Sequence, residues 1–191
     1  MVSDEDLERA EAYAVIGRLF AAPPDAEFLD MLSELEGDGS PLGTAAAELA
    51  GAARDSGPDV AAQEFAELFV GLVTREEVSP YGAVQMTGSM FGEALLKLRT
   101  DLGALGIAKA DDISETEDHI AVLCQVMAGL LRGELGTDMT PDKIAGFFKA
   151  HLAPWAPKFA KAVEASAGLK FYAPAARFAR LFWESEAVHY N

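Results

Sequence analysis

Residues 114–131 read "SETEDHIAVLCQVMAGLL", three carboxylates and a histidine set directly before an apolar run. Ile120, Leu123, Cys124, Met127, Leu130 and Leu131 recur at helical spacing, which predicts one core-facing stripe. Ser114 followed by Glu117 has the form of a capping box, in which hydroxyl and carboxylate satisfy the first amides of a helix. Glu115 and Asp118 add negative charge where a helix N-terminus favours it. His119 is left over, one turn after Glu115 at the edge of the stripe. The stretch therefore has three readings: an ordinary helix start, a catalytic or metal cluster, or a surface that reads a partner.

Working outward, the same periodicity recurs along the chain and strand signals are nearly absent. Helices are predicted at about 4–20, from Asp25 to Gly37, and at about 43–55 and 59–72, the last two separated by Gly57-Pro58. "VTREEVSPY" at 73–81 is an irregular connection, because Pro80 disfavours helix at Ser79. A helix is predicted at about 88–105, then a loop "GIAKADDI" at 106–113, then the long helix of the opening stretch, to about 135. Thr140-Pro141 marks a helix start, with Thr as cap and Pro in the first turn. Helices at about 141–152, 155–167 and 172–186 complete the chain, with Trp155 as a core anchor and His151 and Phe171 as packing residues. The expected fold is an all-α, single-domain bundle of about eight to nine helices spanning 1–191, with 106–113 as its hinge.

Composition narrows the function classes. Half of the 191 residues are apolar and 24% are charged, as in a globular chain. The net charge is −16 and lies mostly in the first part: residues 1–80 carry 18 acidic and 4 basic side chains, residues 81–191 carry 13 and 11. Such a surface repels nucleic acid and anionic lipid and attracts a cationic protein segment. The single cysteine, Cys124, sits in the apolar stripe and reads as a buried thiol of a reducing compartment. The acidic start "MVSDEDLERAEAY" has no signal-peptide pattern, and no run approaches the roughly 20 apolar residues of a membrane span. The expectation is a cytoplasmic protein.

Enzyme motifs are mostly missing. There is no G-x-x-x-x-G-K-[ST] loop for nucleotide phosphates and no Cys-x-x-Cys or His-x-x-x-His pair for zinc. Of the three histidines only His189 has a glutamate three residues before it, Glu186, where a helical di-iron site needs two such pairs. Cys124 and His119, five apart, point about 140° from each other around a helix. A helical metal-dependent hydrolase using Glu115, Asp118 and His119 remains the enzymatic alternative, and a general acidic adaptor a further one.

Five segments in series resemble the TorD/DmsD/NarJ family of redox enzyme maturation chaperones. They are "EFAELFVG" at 64–71, "SPYGAVQ" at 79–85, "ETEDHIAVLCQVMAGLL" at 115–131, "FFKAHLAPWAPKFAKAVE" at 147–164 and "FYAPAARF" at 171–178. The third is similar to the family's Glu-Pro-x-Asp-His motif with Thr116 in place of proline. The second is similar to its Pro-Tyr-Glu-Ser-x-Tyr loop with Gly82, Ala83 and Gln85 substituted. The resemblance implies a TorD-like, non-enzymatic cytoplasmic chaperone with no cofactor of its own. Its implied partners are the catalytic subunit of a molybdoenzyme of the dimethyl sulfoxide reductase family and that subunit's twin-arginine leader. It would hold the apoenzyme until the molybdenum cofactor is inserted and delay export until then. The implied peptide-binding residues are Glu115, Asp118, His119, Pro80 and Tyr81, and the implied states are a monomer or a domain-swapped homodimer. Paired guanidinium groups fit this chemistry, since they bond carboxylates in bidentate fashion and an apolar leader segment needs a groove between helices.

Overall fold

The computed structural model describes residues 2–70, 75–109 and 114–191. The all-α expectation holds: the described residues form nine α-helices, a π-helical turn at Ala66–Val70 and a 3-10 turn at Glu76–Val78, with no strand. The chain divides into two compact units. One is drawn from Met1–Ala21 and Pro80–Trp155 with Tyr190, the other from Ala22–Ser79 and Ala156–His189 with Asn191. Residues 110–113 of the expected hinge at 106–113, and 71–74 of the connection before the 3-10 turn, lie outside the described residues.

In the first unit α1 (Asp4–Ala21) packs along α6 (Ile120–Leu131). Tyr13, Ile16 and Leu19 of α1 are fully buried, and so is nearly all of α6. The two helices meet at Gly17, where a Cβ would lie 3.2 Å from the Cβ of Cys124 and 3.3 Å from the carbonyl oxygen of Ala121. The contact leaves Cys124 at 0% exposure, and burial pushes its thiol pKa far up. The remaining helices of this unit are α4 (Gly82–Thr87), α5 (Glu93–Ala104) and α7 (Pro141–His151). At the start of α7 Thr140 caps as expected, its hydroxyl accepting from Lys143 N at 3.3 Å.

Two expectations are corrected here. The helix foreseen at 88–105 begins only at Glu93, after Gly92, and residues 82–87, where no helix was foreseen, form α4, which Gly88 closes in a left-handed conformation (φ 69°). The long helix foreseen from Ser114 begins at Ile120. Residues 114–119 form a turn in which His119 N donates to Thr116 O, and His119 itself is the cap. The Ser114–Glu117 capping box therefore does not exist.

The second unit holds α2 (Ala26–Ser33), α3 (Pro41–Phe65), α8 (Ala156–Glu164) and α9 (Tyr172–His189). α2 starts on the Asp25 carboxylate, which accepts from Phe28 N at 2.8 Å, and ends at Ser33, four residues before the expected Gly37. α3 is kinked where the sequence predicts a break: Gly57 sits at φ 68°, ψ 165° with Pro58 next to it. Phe65, Phe69 and Tyr172 stack edge to face around the start of α9. That start is held by Glu64, a buried carboxylate that accepts from the amides of Lys170 (2.6 Å), Phe171 (3.1 Å) and Tyr172 (2.9 Å). A carboxylate more than a hundred residues away thus does the work of an N-cap for α9.

Candidate functional site

The five residues singled out from the sequence come together within the first unit. Residues 80–82 lie antiparallel to 118–120: Gly82 N donates to Asp118 O at 2.9 Å, and Ile120 N donates to Pro80 O at 2.8 Å. The chain is extended at His119 (φ −64°, ψ 134°) to make this bridge, which is why no helix runs through the position. Pro80 is buried and contributes its carbonyl, the one backbone group a proline can offer.

Asp118 is 3% exposed and both of its oxygens are occupied. Oδ2 accepts from Ala83 N at 2.8 Å and Oδ1 from the Thr116 hydroxyl at 2.5 Å. Helix α4 has no side-chain cap of its own at Tyr81, so Asp118 caps it from across the bridge. Thr116, the departure from the motif proline, is thereby part of the clamp.

His119 caps α6, its Nδ1 accepting from Ala121 N at 3.2 Å. Burial holds its pKa below the usual histidine value, against the opposing pull of the Glu115 and Asp118 carboxylates. The imidazole is therefore neutral at pH 7, with its proton on Nε2. The Tyr81 ring meets it edge-on, centroids 5.0 Å apart at 76°. The Tyr81 hydroxyl donates to Glu115 Oε2, and burial followed by that bond pushes the phenol pKa upward. Glu115 is half-buried, and its carbonyl accepts from Lys109 Nζ at 3.1 Å.

Glu117, read from the sequence as half of a capping box, turns instead to α5. Arg99 Nε lies 3.1 Å from both of its oxygens and Nη2 lies 2.9 Å from Oε2. Burial alone would raise the Glu117 pKa, but the Arg99 bond prevails and holds it below the ordinary glutamate value. Beneath the loop, Gly82 lies against Trp155: a Cβ there would be 3.0 Å from the indole Nε1. That nitrogen donates to His151 O at 2.6 Å, and His151 Nε2 bonds Asp101 Oδ2 at 2.8 Å. Trp155 is 1% exposed, the anchor its sequence context predicts.

The roles that sequence reasoning missed are those of Thr116, Arg99, Glu117 and, in the other unit, Glu64. No local signal pointed to the Asp118 cap, because the helix it caps, α4, was itself not foreseen at 82–87. Among the described residues no group of three His, Cys, Asp or Glu is placed to hold a metal ion, and no helix is long and apolar enough to cross a membrane. The Asp118 oxygens and His119 Nδ1 are already occupied, which leaves the hydrolase alternative only Glu115 and His119 Nε2. What the loop offers chemically is two half-buried carboxylates, Glu115 and Glu117, beside the Asp118 clamp, with the His119 imidazole near Glu115 and Asp118.

A family model described as nitrate reductase delta subunit matches residues 35–161. The chaperone protein TorD of Vibrio cholerae serotype O1 (El Tor Inaba N16961) is 27% identical over 134 residues, 65% of this chain and 60% of that protein. TorD of the Classical Ogawa 395 strain is 26% identical over 132 residues, with the same shares covered. The match thus spans 60% of the length of these curated relatives. A crystal structure of an Archaeoglobus fulgidus protein described as a candidate redox enzyme maturation protein superposes with a TM-score of 0.60 at 23% identity, covering 92% of this chain and 93% of that one. At that identity the likeness speaks for the fold. The motif series at 64–178 and the family match point the same way.

Proposed function

The chain belongs to the nitrate reductase delta subunit family, and from that premise we propose that it is a maturation chaperone for the catalytic subunit of a molybdenum enzyme. In this reading residues 1–191 act as one all-helical chaperone domain in the cytoplasm, as a monomer or a domain-swapped dimer hinged near 106–113. It binds the client's twin-arginine leader, keeps the apoenzyme from export until its molybdenum cofactor is inserted, and catalyses no reaction itself. The client belongs to the dimethyl sulfoxide reductase family of molybdoenzymes.

The observation that carries the reading is the clamp between residues 80–83 and 115–120. It gathers Tyr81, Glu115 and His119 at one place and fixes them through Pro80 and Asp118. Glu115, Asp118, His119, Pro80 and Tyr81 form the peptide-binding set, with Asp118 and Pro80 holding the loop and the other three facing the leader. Charge supports the assignment, since a chain of net charge −16 draws in a segment bearing two arginines.

Titration calorimetry tests this with a peptide that carries Arg-Arg followed by an apolar run, and with its Lys-Lys counterpart. The expected result is tighter binding of the arginine peptide, weakening with salt. Equal affinity for the two peptides would count against the proposal.

A further inference from the structure

Among the three carboxylates of the 115–118 loop, one already holds a guanidinium. Arg99 forks onto Glu117, its Nε at 3.1 Å from each oxygen and its Nη2 at 2.9 Å from Oε2. Asp118 is 3% exposed with its oxygens bonded to Ala83 N and the Thr116 hydroxyl, and Glu115 has Oε2 on the Tyr81 hydroxyl. Only Glu117 presents its whole carboxylate edge to one planar cation, which is the geometry a guanidinium rewards and an ammonium cannot reproduce.

The pair is asymmetric. The Glu117 side chain is 14% exposed and fixed in the turn, whereas that of Arg99 is 48% exposed on α5. Arg99 is therefore the half of the pair that can turn to water, provided another cation takes its place on the Glu117 carboxylate. A second, independent sign lies two residues on. His119 is 6% exposed, its Nδ1 is taken by Ala121 N, and its neutral Nε2–H meets no acceptor among the described residues. That nitrogen is not sealed in the interior, so its N–H stands open to an acceptor from outside the chain.

Resting on the function proposed above, we infer that Glu117 is the seat for a partner's arginine and that Arg99 is an internal stand-in which that arginine displaces. A carbonyl of the incoming peptide accepts from His119 Nε2–H. The arrangement makes Glu117 the residue that separates arginine from lysine, and it makes Arg99 a built-in competitor that keeps the resting affinity below what the seat can reach.

Calorimetry of the full chain with the Arg-Arg and Lys-Lys peptides tests this in four proteins: the parent, Glu117→Gln, Arg99→Met and Arg99→Lys, each checked for helicity by circular dichroism. Glu117→Gln is expected to weaken the arginine peptide about tenfold and bring the two affinities together. Arg99→Met is expected to tighten the arginine peptide about fivefold, or ~1 kcal/mol. Arg99→Lys keeps the charge but loses the fork, and is expected to tighten it about twofold. A parent that binds both peptides equally sinks the functional reading itself. A parent that discriminates, with a folded Glu117→Gln that discriminates as well, overturns this inference alone. So does tightening in Arg99→Met with none in Arg99→Lys, since net charge would then be the cause. If Glu117→Gln fails to fold, the two Arg99 variants decide.

Discussion

Asp118→Ala separates two jobs the carboxylate might do. In the structure the buried Asp118 ties α4 to its own turn: Oδ2 takes Ala83 N at 2.8 Å and Oδ1 the hydroxyl of the half-buried Thr116 at 2.5 Å. Removing it leaves the Ala83 amide, the second residue of α4, buried and unpaired. An unsatisfied buried donor costs about 1–3 kcal/mol, and a lost helix cap about 0.5–2 kcal/mol. These are overlapping views of one bond, so the expected loss is about 2–3 kcal/mol. Asp118→Asn should cost less than about 1.5 kcal/mol, because the amide oxygen can still accept from Ala83 N while its NH2 donates to Thr116. Urea unfolding reads the difference: with an m-value of about 2 kcal/mol per molar, Asp118→Ala lowers the midpoint by about 1–1.5 M. Arginine-peptide binding by the folded fraction should drop in step with the loosened loop, and Asp118→Asn should retain most of it. An Asp118→Ala protein as stable as the parent that has lost binding would refute the reasoning, since the carboxylate would then be a direct contact.

Gly82→Ala places a methyl 3.0–3.2 Å from three atoms of the Trp155 indole, so it should destabilise the fold by about 1–3 kcal/mol; a melting temperature equal to the parent's would contradict the packing. Burial lowers the pKa of both His119 and His151 from the ordinary 6.5, despite the carboxylates of Glu115 and Asp118 beside the first and Asp101 beside the second. The unfolded chain therefore binds more protons than the folded one as pH falls through that value. Stability should be full above about pH 6.5 and decline below it, and urea midpoints that rise between pH 7 and pH 5.5 would contradict the assignment.

Much of the fold was legible because local signals and tertiary structure agree there. The stripe from Ile120 to Leu131 needed only its period, and Asp25, Thr140 and the Gly57-Pro58 break act on neighbours a few residues away. The candidate site was legible in its membership but not in its roles. Ser114 and Glu117 satisfy the local pattern of a capping box, yet the bridge between Tyr81 and His119 holds the chain extended and delays the helix to Ile120. Asp118 and Glu64 each cap a helix that lies 35 or more residues away in sequence, and no window-based reading connects them. Arg99 and Glu117 are 18 residues apart on separate elements, so their fork is visible only once α5 and the turn are in place.

The reach of Asp118 has a consequence for how firmly α4 holds. Helix α4 is six residues long, too short to hold itself together in water. Its cap arrives only when a 35-residue separation has been closed. Such a helix forms only together with that closure, whose entropic cost it cannot offset by its own few backbone bonds. The six residues of α4 therefore stand or fall with one distant carboxylate, and in an Asp118→Ala protein their amide protons should exchange with water well ahead of those of α6.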